Sequence, residues 1–168
     1  DYEQLRPGAI TLGFLGRGYA HKNLSVLADV ENIVKEQYGL NCNFVFTLSQ
    51  QEMSEHGFIG RDGFYTVGKI TAAQCPKFYE HIDGLIFPSL LECFSATPLE
   101  AMIMKKPVIA SDREFVRDVC KEHAFYFNPL NAKDIARVIV NTFADKEQLS
   151  KIVSAAYAHV LNQPTAKD

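Results

Sequence analysis

Short apolar runs alternate along most of the chain with segments whose apolar positions recur at helical spacing. The run AITLGFL at 9–15 reads as a β-strand, and the polar, glycine-bearing stretch GRGYAHKN at 16–23 closes it. Leu24, Leu27, Val30, Val34 and Tyr38 follow near 3.6-residue spacing. They predict a helix, with Asn23 as N-cap and Gly39 at its end. Strands are predicted over 43–48 and 64–68, and 50–61 reads as a short helix or a loop. Thr71-Ala-Ala-Gln74 has the capping-box pattern, so a helix is expected over 72–81. A short buried strand over 85–87 is closed by Pro88. Thr97-Pro98-Leu99-Glu100 combines Thr at an N-cap, Pro at the first helical position and an acid three after the cap. Strands over 107–110 and 124–127 and a short helix over 113–119 come next. Helices over 131–143 and 146–161, capped by Asn131 and Asp145, complete the pattern, and 162–168 is expected to fray.

Strands alternating with helices in this way predict an α/β domain with a parallel sheet flanked by helices. The 168 residues suit one domain, 1–168, with a core over about 9–161. Hydrophobic residues make up 47%, enough for a self-sufficient core. The balance of 17 basic and 20 acidic residues argues against a nucleic-acid partner but leaves room for a local basic pocket. No apolar run reaches the ~20 residues of a membrane span. The chain opens at Asp1, which fits a piece excised from a longer protein. Cys42, Cys75, Cys93 and Cys120 are widely spaced and read as buried or half-buried free thiols in a reducing compartment. The five histidines are scattered as well, and no metal site is expected.

In an open parallel sheet, ligands bind beyond the carboxyl ends of the strands. The first strand-to-helix loop places Arg17 and Lys22 beside glycines 16 and 18, which permit close backbone approach. Two cations at a helix start suit an anion, although both side chains could equally be solvated surface charges. The loop lacks the P-loop pattern. It is also a poor dinucleotide fingerprint, with His21 in place of a third glycine and no acid at 48–50 to hold a ribose. In the segment SLLECFSATPLEAM, Glu92 and Glu100 straddle a loop-to-helix boundary. Each carboxylate suits paired sugar hydroxyls. Glu100 could instead be a capping-box acid, and Glu92 an exposed loop acid.

Four segments in order carry a family resemblance: GFLGRGYAHKN, FYTVGKI, IDGLIFPSLLECFSATPLEAMIMKKPVIASD and AFYFNPLNAKDIARVI. Together they resemble the C-terminal, donor-binding domain of a family 4 retaining GT-B glycosyltransferase (glycosyl transferases group 1). The resemblance implies a Rossmann-like domain, the second half of a GT-B fold. It implies that Arg17 and Lys22 neutralise a nucleotide diphosphate and that Glu92 holds the donor sugar near the reacting carbon. Glu100 would hold the ribose hydroxyls. Gly16, Lys69 and Ile70 would belong to the donor pocket, with the base at 69 and 70. The backbone of Phe94, Ser95, Ala96 and Thr97 would meet the sugar or distal phosphate. Ser95 replaces a frequent glycine, which leaves its amide available but adds a Cβ.

The implied activity is metal-independent, retaining transfer from a nucleotide-diphosphate sugar in polysaccharide, lipopolysaccharide or glycolipid synthesis. The sugar nucleotide is a substrate, and no cofactor is expected. An acceptor glycan or lipid would bind mainly to an N-terminal domain absent from this chain, so the chain should bind donor without transferring sugar unaided. The implied location is cytoplasmic, with the longer enzyme able to sit at the inner membrane face. A sugar-nucleotide epimerase of the same fold and a non-catalytic α/β binding module are the alternatives. A receiver-type module would need an acidic pair after the first strand, which Gly16-Arg17-Gly18 lacks.

Overall fold

The computed structural model describes residues 2–163. A six-stranded sheet of order β3-β2-β1-β4-β5-β6 runs parallel throughout. Its strands are β1 (Ile10–Phe14), β2 (Cys42–Phe46), β3 (Phe64–Thr66), β4 (Gly84–Phe87), β5 (Val108–Ser111) and β6 (Phe125–Phe127). The helices are α1 (Val26–Tyr38), α2 (Gln50–Glu55), α3 (Cys75–Glu80), α4 (Thr97–Ile103), α5 (Glu114–Cys120), α6 (Ala132–Ala144) and α7 (Lys146–Leu161). The expected α/β, Rossmann-like class is the observed one.

The two-residue period of the strands divides the core between the faces of the sheet. Phe44, Phe46, Ile86 and Ile109 point to one face, against Leu27, Val30 and Val34 of α1 and Ile135 and Ile139 of α6. Val45, Leu85, Phe87, Val108 and Ala110 point to the other, against Phe78 and Tyr79 of α3, Met102 of α4 and Val116 of α5. Strands buried on both faces explain the nearly unbroken apolar runs in the sequence.

Several boundaries differ from the sequence expectations, and two of the differences bear on function. Asn23 is not the N-cap of α1. It ends a 3-10 turn over Ala20–Lys22 in the left-handed region (φ 59°), and α1 begins three residues later. Asparagine is tolerated there because its side chain can hydrogen-bond locally. Thr97 is not the N-cap of α4: Ala96 holds that position without a side-chain cap, and Thr97 is the first helical residue. Proline is acceptable anywhere in a first helical turn, so Pro98 did not fix the start to one residue. The helix expected over 72–81 is a 3-10 turn (Ala72–Gln74) followed by α3. β3 and β6 have only three residues each. A further 3-10 turn, Tyr2–Gln4, was not anticipated. The fraying expected of 162–168 lies, for 164–168, outside the described residues.

All four cysteines are free. Cys42 and Cys120 are buried and Cys75 is half-buried, but Cys93 is exposed, contrary to expectation, because it sits in the loop after β4 and not on a packed element.

Candidate functional site

Strand order reverses between β1 and β4, so the connections leaving their carboxyl ends diverge and leave a crevice. The loop after β1 carries Gly16, Arg17 and Lys22, and the loop after β4 carries Glu92 and residues 94–96. These expected site residues therefore flank the topological switch point, while Lys69 and Ile70 follow β3 and Thr97 and Glu100 lie on α4.

The first loop is fixed from behind by α2. Ser49 caps that helix in a capping box with Glu52. The buried Glu52 carboxylate also accepts from the Gly18 amide at 3.0 Å and from Arg17 Nε at 2.9 Å. One turn later, His56 Nε2 lies 2.9 Å from the Gly18 carbonyl oxygen, and its Nδ1 lies 3.2 Å from Ser25 Oγ. The carbonyl can only accept, so His56 Nε2 is the donor in this contact. The Gly18 backbone is thus gripped through both its N–H and its C=O. A Cβ at Gly18 would come within 2.8 Å of the imidazole. Thr47 Oγ1 receives the Gly16 amide at 2.9 Å, and Gly16 itself has φ +144°. Arg17 gives its Nε to Glu52, while its Nη groups have no hydrogen-bond partner among the described residues. Glu52 and His56 escaped the sequence reading. An acid does follow β2, but it serves the neighbouring loop, and only the fold shows that contact across 34 residues.

The Gly18 amide first, then Arg17 and the Ser49 amide, holds the Glu52 carboxyl down at about 2, from 4.5. A group with a lowered folded pKa adds stability that is complete above its unfolded pKa and is lost as pH falls through the folded one. Glu52→Gln is therefore expected to be less stable than the parent at neutral pH. The gap should close between about pH 4.5 and about pH 2. Urea melts across that window measure it, and a pH-independent gap would rule the linkage out.

The loops after β1 and β4 are joined directly. Lys22 Nζ pairs with Glu92 Oε1, with only 14% and 10% of the two side chains exposed. Ser89 Oγ donates to the same carboxylate oxygen at 3.0 Å. The Leu90 amide donates to the His21 carbonyl at 2.8 Å. Asn23 Nδ2 reaches the carbonyls of Pro88 (3.2 Å) and Pro129 (2.9 Å), so one left-handed residue ties together the connections after β1, β4 and β6.

Glu100 does not close a capping box on α4, since its carboxylate faces Tyr79, whose hydroxyl lies 3.2 Å from Oε2 and 3.2 Å from the Thr97 carbonyl. Burial, followed by the nearby Glu100 charge, pushes the Tyr79 phenol well above its ordinary value, which keeps it a donor. Tyr79 thus orients Glu100, a contact no local sequence signal reveals.

A cavity of about 400 Å³ collects Leu15, Gly16, Arg17, Thr47, Lys69, Ile70, Cys75 and Glu100. Five expected donor-site residues, from three separate connections, share its wall. Lys22 and Glu92 stand outside it as the inter-loop pair. Phe94 is 70% exposed, and Phe94 and Ser95 line a separate small space against Phe115. Ser95 Oγ lies 2.7 Å from Thr97 Oγ1, and Ala96 is exposed. Chemically, the cavity offers an acid with fixed orientation at one wall and guanidinium and ammonium groups at another.

A family model described as glycosyl transferases group 1 matches residues 9–145. The chain belongs to the group 1 glycosyl transferases. It is 27% identical over 143 residues to the O-antigen chain mannosyltransferase RfbU of Salmonella typhimurium, a match covering 83% of this chain and 39% of that protein. The chain thus spans about two-fifths of that curated relative. The C-terminal domain of the group 1 family protein LpcC of Francisella tularensis has the same fold: TM-score 0.74, 20% identity, 98% of this chain and 90% of that one. TarM of S. aureus (TM-score 0.76, 17% identity, 96% and 34%) and Anabaena HepE solved with UDP and glucose (0.74, 18%, 91% and 44%) share it too. At these identities the likeness is one of fold. Among the described residues, no helix of this group 1 transferase chain is long and apolar enough to cross a membrane.

Proposed function

We propose that this chain is the donor-binding half of a retaining, metal-independent glycosyltransferase using a nucleotide-diphosphate sugar. The observation that carries the reading is the cavity uniting Gly16, Arg17, Lys69, Ile70 and Glu100 at the strand-order switch point. In this reading Glu100, oriented by Tyr79, accepts both ribose hydroxyls, and the base lies along Lys69 and Ile70. Arg17, braced by Glu52, offers its Nη groups to the diphosphate, and Lys22 joins it from the rim. As the bond from the anomeric carbon to the diphosphate oxygen breaks, the electron pair leaves with the diphosphate. Fixed cations and loop amides at 94–97 stabilise that charge without reorganising, which is where electrostatic catalysis is most effective. Glu92 holds the sugar hydroxyls near the reacting carbon, while the acceptor oxygen bonds to that carbon from the face the diphosphate leaves and passes its proton to the departing phosphate oxygen, so the configuration is retained.

The RfbU relative and the group 1 membership support a role in polysaccharide or glycolipid synthesis, and in this reading that synthesis takes place on the cytoplasmic side of a membrane. Acceptor binding would fall mainly to a further domain, so the isolated chain would bind donor and transfer little sugar. Glu100→Gln tests the ribose assignment. It should weaken a nucleoside diphosphate by about tenfold, the loss of one charged hydrogen-bonding group, and much less its 2′-deoxy analogue. Equal losses for the two ligands would remove Glu100 from the ribose.

A further inference from the structure

Beyond the donor pocket, the carboxyl ends of β5 and β6 frame a second polar cavity of about 480 Å³, within the range of small-molecule sites. It opens on the same end of the sheet as the donor loops. The Asp112 amide donates to the Phe127 carbonyl at 2.7 Å, and Ser111 Oγ reaches the Phe87 carbonyl at 3.2 Å, so its floor is continuous with the end of β4.

Arg113 is the unusual residue of its lining. Its Nε is buried with no hydrogen-bond partner, and the guanidinium makes no ion pair among the described residues. The other arginine with a buried orphan Nε, Arg61, is otherwise satisfied: it donates to Ala28 O and Asn32 Oδ1 and lies 5.3 Å over the Phe64 ring. Arg113 has no such partners: the residue is half-buried, its Nε closed off and its Nη groups left on the open side. The carboxylates around the cavity are already engaged. Asp112 pairs with Arg117, and Asp134 takes Arg137 Nε (3.1 Å) and Nη2 (2.7 Å) through one oxygen and the Asn128 amide (2.7 Å) through the other. Glu114, next in the chain, is exposed. Asp112 pairs with Arg117 and Asp134 with Arg137, so Arg113, although it helps Arg117 to hold the Asp112 carboxyl down, has no ion pair of its own at the wall of this polar space. An unpaired buried donor costs stability and persists most readily where a ligand completes it.

We propose that the Arg113 cavity is a second oxyanion site, separate from the donor pocket, for a phosphate or carboxylate group carried on a sugar-sized ligand. The guanidinium fork suits either oxyanion. Resting on the donor reading above, the occupant is an anionic substituent of the acceptor, since the cavity lies at the same end of the sheet as the donor pocket.

The test follows the Arg113 Nε–Hε NMR signal of the chain, with whichever of UDP and GDP binds present to fill the donor site. A hexose 6-phosphate and a hexuronate are titrated, with neutral hexose as control. A saturable shift with either anion and none with hexose is expected, and the stronger response assigns phosphate or carboxylate. By calorimetry, Arg113→Gln should weaken that ligand by about tenfold without lowering Tm, since it removes an unsatisfied group. Arg113→Lys, with charge but no fork, should fall between. An Arg113 signal indifferent to both anions overturns the proposal. So does an Arg113→Gln protein that is less stable yet binds unchanged, because the residue is then a packing element. Failure of both UDP and GDP to bind would count against the donor reading alone, since the Arg113 signal reads its own cavity directly.

Discussion

Lys22→Ala is expected to weaken nucleoside diphosphate binding by about 10- to 100-fold and to destabilise the fold at the same time. The first effect follows from losing a cation at the phosphates, where charged hydrogen bonds contribute about 1.5–3 kcal/mol. The second follows from what is left behind. Glu92 is only 10% exposed and would keep Ser89 as its hydrogen-bond donor without an opposing charge. Breaking one side of a buried pair costs about 3–5 kcal/mol, and the partial exposure of this pair favours the lower figure. Adding Glu92→Gln to Lys22→Ala should therefore restore much of the stability and none of the affinity. Calorimetry and urea melts on the two variants separate these effects. If Lys22→Ala leaves nucleotide affinity unchanged, Lys22 is an inter-loop strut and not a phosphate ligand.

Phe46→Ala carries the other large effect, with the opposite character. Phe46 is fully buried on β2, its ring centroid 6.3 Å from Phe14, 5.1 Å from Phe58 and 6.1 Å from Phe64. Removing it deletes the middle of an aromatic cluster between the sheet and α1, at a cost of about 3–5 kcal/mol. For a chain of this size each kcal/mol shifts Tm by about 2–4 °C, so Tm should fall by roughly 6–20 °C. Well below that Tm, donor affinity should be nearly unchanged, because no ligand-facing side chain is altered. A Tm shift of only a degree or two would mean that the cluster is not packed as described.

The α/β class and most elements were legible because doubly buried strands and amphipathic helices leave different periods in the sequence. The span of α7 over Lys146–Leu161 and the caps at Asn131 and Asp145 came out as read, since capping is local chemistry. The errors fell where one residue type serves two purposes. A polar residue before an apolar run looks like an N-cap, and Asn23 instead uses a left-handed turn to hold three connections. Thr-Pro marks a helix start without deciding which of two residues comes first. Arg17, Lys22, Glu92 and Glu100 could be nominated from motif and resemblance. Their actual partners could not: Glu52 behind Arg17, Glu92 against Lys22 and Tyr79 under Glu100 are contacts between distant segments, made only once the strands order themselves as 3-2-1-4-5-6.

The most direct measurement is calorimetric titration of the chain with UDP and GDP, and with their sugar conjugates, each with and without magnesium. One of the two bases should bind at a single site per chain, compete with its own sugar conjugate and show the same affinity in either condition. Absence of binding by every nucleotide up to about 1 mM, an affinity of only about −4 kcal/mol, would contradict the donor-binding account. Binding that requires magnesium would contradict its metal-independent chemistry.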